Sequence, residues 1–161
     1  LLVWMLIDDN ESESSPEPAA SSGGPEIVSV ERLRDTAASS SMPIYWVGPP
    51  AGSRLELSQP SAERTFLRYL TGGATADDPR PFLTVGSYRV ADATAVLRRE
   101  GKRDDGVLAK APEGGVVYFS QTRPESVYVA YPGEDVQVEV FAPDFQQALR
   151  LVTAGRIVPV E

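Results

Sequence analysis

The chain has 161 residues, enough for one domain with a sizeable core, and 42% of them are hydrophobic. Its formal charge is −8, yet residues 1–26 hold six acids and no base, so the other 135 residues carry 17 acids against 15 bases and are nearly neutral. Nothing in the sequence forms the basic stripe nucleic acid needs, so nucleic acid is not an expected partner, and the lack of Cys and His excludes disulfides, thiolate chemistry, imidazole catalysis and His-based zinc sites.

The chain opens on "LLVWMLI". Seven residues rise only about 10 Å as a helix, against about 30 Å for a bilayer core. The run reads as the last two turns of a truncated transmembrane helix, with Trp4 near the interfacial belt. A cleaved signal peptide and an edge strand are the alternatives. No small-x-small cleavage pattern follows directly on the run, and a strand would need the next stretch to loop back. Residues 8–26 carry acids, Ser, Pro and Gly with almost nothing to bury, the composition of a disordered tether. No Lys or Arg follows the apolar run, which suits the non-cytoplasmic side of a membrane. The expected organisation is an anchor over 1–7, a linker over 8–26 and a single domain over 27–161. Its expected place is the cell membrane, single-pass, with the domain extracytoplasmic.

A first helix is predicted from Val30 to Ala38, with Ser29 as N-cap and Val28 and Leu33 as a hydrophobic staple. Strands follow at "PIYWVG", "RLELS", "TFLRYL" and "FLTVGSYRV". A second helix is predicted from an Asp92 cap to Gly101, with Arg98, Arg99 and Lys102 at its C-terminal end. "GVLAK", "GVVYFSQ", "SVYVAY" and "DVQVEVF" are four more strands. Phe145, Ala148, Leu149 and Val152 then mark one face of a third helix stopped by Gly155, and "RIVPV" closes as a strand.

The halves resemble each other. "LSQPSAERTFLRYLTG" aligns with "FSQTRPESVYVAYPG" with one gap, and "ADATAVLRREG" with "PDFQQALRLVTAG". Either two similar α-β-β-β-β units lie in tandem, or two α/β stretches share turn chemistry by chance. In "DVQVEVF" the valines point one way while Gln137 and Glu139 point the other, and in "RLELS" Leu55 and Leu57 oppose Glu56. One wet and one buried face is the pattern of an antiparallel sheet. The expected fold is α+β: a largely antiparallel sheet covered on one face by about three helices.

Through "PIYWVGPPAG", "FLRYL", "PFLTVGSY" and "VYVAYPGEDVQVEVFAP" the chain resembles a group of extracytoplasmic actinobacterial proteins of no known activity. They pair a short N-terminal anchor and polar linker with a domain carrying a Tyr-Trp-x-Gly-Pro turn. The resemblance covers residues 27–160 and implies location and anchoring without implying a reaction.

The most distinctive local feature is "YWVGPPAGSR". Trp46, Pro49 and Pro50, with Tyr45 and Arg54 beside them, suit an aromatic–proline platform for a sugar or peptide. The plainer reading sends Tyr45 and Trp46 to the core and leaves a shaped turn. Tyr128, Gln137 and Glu139 are candidate contacts on an open strand face. Asp77-Asp78 and Asp104-Asp105 are the candidate carboxylate pairs for a hydrolase without His, yet each lies in a turn where Asp is common for backbone reasons. "KRDDG" lacks the alternating acids of a calcium loop, and no cofactor motif is present. The expected function is a membrane-tethered domain that binds or scaffolds a cell-envelope glycan or protein. The alternatives are a cell-envelope hydrolase using a carboxylate pair and an accessory module of a larger assembly.

Overall fold

The computed structural model describes residues 23–161. The anchor expected over 1–7 and most of the expected linker lie outside the described residues. Among the described residues no helix is long and apolar enough to cross a membrane.

The first described strand starts at Gly23, inside the stretch read as linker up to 26. Strand β1 (Gly23–Val28) pairs antiparallel with β3 (Arg54–Ser61). Only Val28 of β1 is buried, so the strand is held by its backbone ladder, which composition does not register. Pro25 falls where the register slips on this edge strand, a position that can spare an N–H.

Helix α1 (Val30–Ser39) starts on Ser29, whose hydroxyl accepts from the Arg32 N–H at 3.1 Å. The staple residues Val28 and Leu33 are both buried. The strand predicted at 43–48 shrinks to β2 (Tyr45–Trp46), which leaves the main sheet and pairs with the closing strand β10 (Val158–Pro159). The main sheet has eight strands in the order β1-β3-β4-β5-β9-β8-β7-β6. Its other members are β4 (Arg64–Leu70), β5 (Thr84–Arg89), β6 (Gly106–Lys110), β7 (Val116–Ser120), β8 (Ser126–Ala130) and β9 (Val136–Phe141). Every pairing is antiparallel, and β5 against β9 joins the two halves. With three α-helices, this is an antiparallel α+β fold.

One face carries the core. Leu57, Leu67, Val85, Val140 and Val127 are successive cross-strand partners and all are buried. Leu33 of α1, Trp46 of β2, and Ala148 and Val152 of α3 (Phe145–Thr153) close over this face. Helix α2 (Ala93–Glu100) lies on the opposite face, where Ala93 and Leu97 pack on Val116 and Ala130 with Tyr118 and Tyr128 beside them. So cover on the core face comes from two of the three helices. Strands β7 and β8 explain the difference. "VVYFS" and "SVYVA" are apolar on both faces, whereas the alternation that predicted one wet face belongs to β3 and β9.

The similar halves keep part of their symmetry. β5-β4-β3 and β9-β8-β7 run outward in matching order from the β5–β9 pair. The fourth strands differ, because β2 leaves the sheet and β1 fills the edge opposite β6. The helices after β5 and β9 sit on opposite faces, so no single rotation relates two α-β-β-β-β units.

Candidate functional site

The residues singled out around the Tyr-Trp turn separate in space. Tyr45 and Trp46 are core residues. Tyr45 stacks on Tyr131 with ring centroids 6.0 Å apart, and its hydroxyl donates to Glu134. Burial, then Glu134, pushes that hydroxyl's pKa far above the usual tyrosine range. The turn itself is pinned from below. The Tyr69 hydroxyl donates to the Gly48 carbonyl at 2.9 Å and accepts from the Val47 N–H at 3.1 Å. Burial pushes the Tyr69 pKa up to about 12. Gly48 and Gly52 adopt φ of +94° and +73°, conformations only glycine takes without strain. Pro49 and Pro50 border an open groove of about 430 Å³ with Tyr69, Phe82, Leu83 and Leu151. Arg54 is exposed and donates to the Ala74 carbonyl. Tyr128 stands apart on the other face of the sheet, so the six residues form no single surface.

That other face holds the denser constellation. Phe66, Gly86, Glu139, Tyr128 and Tyr118 are successive cross-strand partners, one row across five strands. Tyr88, two residues beyond Gly86, folds its ring back over the glycine, where a Cβ would come within 2.9 Å of the ring. There the Tyr88 hydroxyl donates to Glu139 Oε2 at 2.6 Å. Ser126 donates to Oε1 at 2.6 Å, and Tyr128 donates to the same oxygen at 3.3 Å. Glu139 is 8% exposed, and among the described residues no basic group forms an ion pair with it. Burial first and the neighbouring Glu139 second raise the pKa values of Tyr88 and Tyr128, which keeps both as neutral donors. Phe66 meets Tyr88 edge to face at 5.6 Å, and Tyr118 and Tyr128 lie 5.9 Å apart.

Two covers frame this row. On one side α2 sits over β7 and β8. On the other, the loop 71–83 folds back on β3 and β4, burying Ala74 and Phe82 against Leu70. Arg68 ties that loop down: it pairs with buried Glu56 at 2.7 Å, donates to the Asp78 and Arg80 carbonyls, and lies over the Phe82 ring. The second oxygen of Glu56 accepts from the Asp77 N–H at 2.5 Å. Between the covers Phe66, Tyr88, Gln137 and Tyr128 remain half-buried, and exposed Arg64 stands opposite Tyr88 at the rim.

One carboxylate of each candidate Asp pair is committed to a turn. Asp78 is clasped by Arg80, whose hydrogen bonds hold its pKa down to about 2. Asp105 accepts from Ser120 and Thr122, which lower its pKa and fix the turn into β8. The two buried carboxylates of the aromatic face, Glu56 and Glu139, are three strands apart. That is about 14 Å by strand spacing, against the roughly 5–10 Å a glycosidase pair needs. Among the described residues no three acidic side chains are placed to hold a metal ion.

Of this site, sequence reading named Tyr128, Gln137 and Glu139 as candidate contacts and missed Tyr88, Phe66 and Ser126. The available signal was Gly86, a glycine inside a strand, which marks a close approach by something else. Comparison with known protein families, characterised proteins and solved structures found no match.

Proposed function

We propose that this chain is a membrane-tethered extracytoplasmic domain that binds or scaffolds a cell-envelope component, with the strip around Glu139 as its contact surface. The observation that carries the reading is the gap between the two covers. The core face is closed by α1, α3 and the β2–β10 pair, and both ends of the other face are capped, while its centre presents half-buried aromatic and amide groups. Aromatic rings beside Gln137 and Arg64 suit a glycan or a polypeptide segment. The apolar run at 1–7 and the base-free stretch that follows support the tether and its side of the membrane. The bonds that hold Asp78 to Arg80 and Asp105 to Ser120 and Thr122 weigh against the hydrolase alternative.

The absence of cysteine makes a direct test available. A single cysteine introduced at exposed Ala62 should react with a membrane-impermeant maleimide on intact cells. Reaction only after lysis would place the domain in the cytoplasm. A photocrosslinking residue at Arg64 should capture an envelope component that the same residue at exposed Arg34, on α1, does not. Equal capture at both positions would remove the strip as the contact surface.

A further inference from the structure

Glu139 accepts three hydroxyl hydrogen bonds, two on Oε1 and one on Oε2, as a carboxylate can. Its donors are all neutral, its surroundings are aromatic, and among the described residues no cation pairs with it. A carboxylate so placed attracts opposite charge strongly, because little water screens it. Beside it stand the Phe66 and Tyr88 rings, whose faces are themselves attractive to cations.

We propose that this strip binds a small quaternary ammonium group, seated against the Phe66 and Tyr88 rings with Glu139 as counter-charge. The inference rests on the strip being the contact surface and names the chemistry it takes. A quaternary rather than a primary ammonium follows from the hydrogen-bond inventory. Three of the roughly four lone-pair sites of Glu139 are already taken, so a primary ammonium would bring three N–H donors to a carboxylate with about one site left, and the rings beside it replace little of the water it sheds. A quaternary head needs charge and apolar contact alone. Arg64 at the rim is a like charge and opposes the cation, an effect that salt screens.

The test is calorimetric titration of the full chain with choline at constant ionic strength. The uncharged isostere 3,3-dimethylbutan-1-ol and the primary amine ethanolamine run alongside. Choline should bind about tenfold more tightly than either. Glu139→Gln should erase its advantage over the isostere, and Phe66→Leu should weaken choline several-fold. Arg64→Gln, at an exposed position, should tighten choline at low salt. Should Glu139→Gln fail to fold, the Phe66 and Arg64 variants still decide. Competition by phosphatidylcholine vesicles would name a lipid head group as the source, and lack of competition a free solute; either supports the assignment. Equal affinity for choline and its isostere, tighter binding of ethanolamine, or no saturable choline binding would overturn it. Choline failing while crosslinking at Arg64 succeeds would remove this assignment and leave the contact surface standing.

Discussion

Gly86 and Tyr88 show how one missing side chain shapes a site. Tyr88 reaches Glu139 because nothing stands on Gly86 to hold its ring off the sheet. Gly86→Ala should displace the ring, break the Tyr88–Glu139 hydrogen bond and cost roughly 1–3 kcal/mol in urea denaturation. Tyr88→Phe should cost about 1–2 kcal/mol by removing a single donor. Because both changes act on the same bond, the double variant should be less stable than the worse single one by well under their sum. Additive costs would mean that Gly86 serves something other than the ring. Tyr88 and Glu139 are 51 positions apart, so no local pattern announces their meeting.

At the scale of elements, α3 and the loop 71–83 are held in different ways. Helix α3 is held by apolar burial. The periodicity of Phe145, Leu149 and Val152 predicts equal burial, yet Ala148 and Val152 are fully enclosed while Phe145 and Leu149 are half-covered. Val152→Ala should therefore cost about 2–3 kcal/mol and Leu149→Ala nearer 1, as measured by chemical denaturation. The reverse order would mean the helix is rotated on the sheet. The loop adds to its small apolar cluster an ion pair between Arg68 and Glu56. Arg68→Ala strands the buried Glu56 carboxylate and removes two bonds to loop carbonyls. The expected cost is roughly 2–4 kcal/mol, below the fully buried range because Arg68 is 21% exposed. Hydrogen exchange should quicken over residues 74–82 while α3 stays protected.

Across the whole molecule the buried hydroxyls set a weakness at high pH. Tyr45, Tyr69, Tyr88, Tyr128 and Tyr131 all have pKa values raised chiefly by burial. An unfolded chain releases these protons near pH 10, whereas the folded chain retains them to higher pH. The unfolded state then binds fewer protons, so stability falls as pH rises. Their contribution is fully present below about pH 10 and is lost as pH climbs through the folded values. Thermal melts should hold steady from neutral pH to about 9 and drop steeply beyond 10. Tyr69→Phe should shift that drop less than Tyr88→Phe, because Tyr69, raised only to about 12, departs less from its ordinary value. A flat profile through pH 11 would mean these hydroxyls ionise freely in the folded state.

What the sequence determined by itself was the run of elements and much of their chemistry. Ser29 and Asp144 accept N-cap hydrogen bonds, and Gly155 ends α3 at φ +68°. Alternation in β3 and β9 names the core face, and together these make the α+β class legible. Such signals are interactions between residues one to four positions apart, and short stretches of chain contain them. Asp92 marks the limit of even this: it stands at the start of α2 in a left-handed conformation and makes no side-chain cap bond. Only the tertiary structure decided that β2 leaves the sheet for β10, that β5 meets β9, and that α2 crosses to the second face. It also carried Tyr88, Ser126 and Tyr128 to a single carboxylate. These outcomes turn on which apolar surfaces cover one another across dozens of residues, and burial is a property of the assembled sheet that no local pattern encodes.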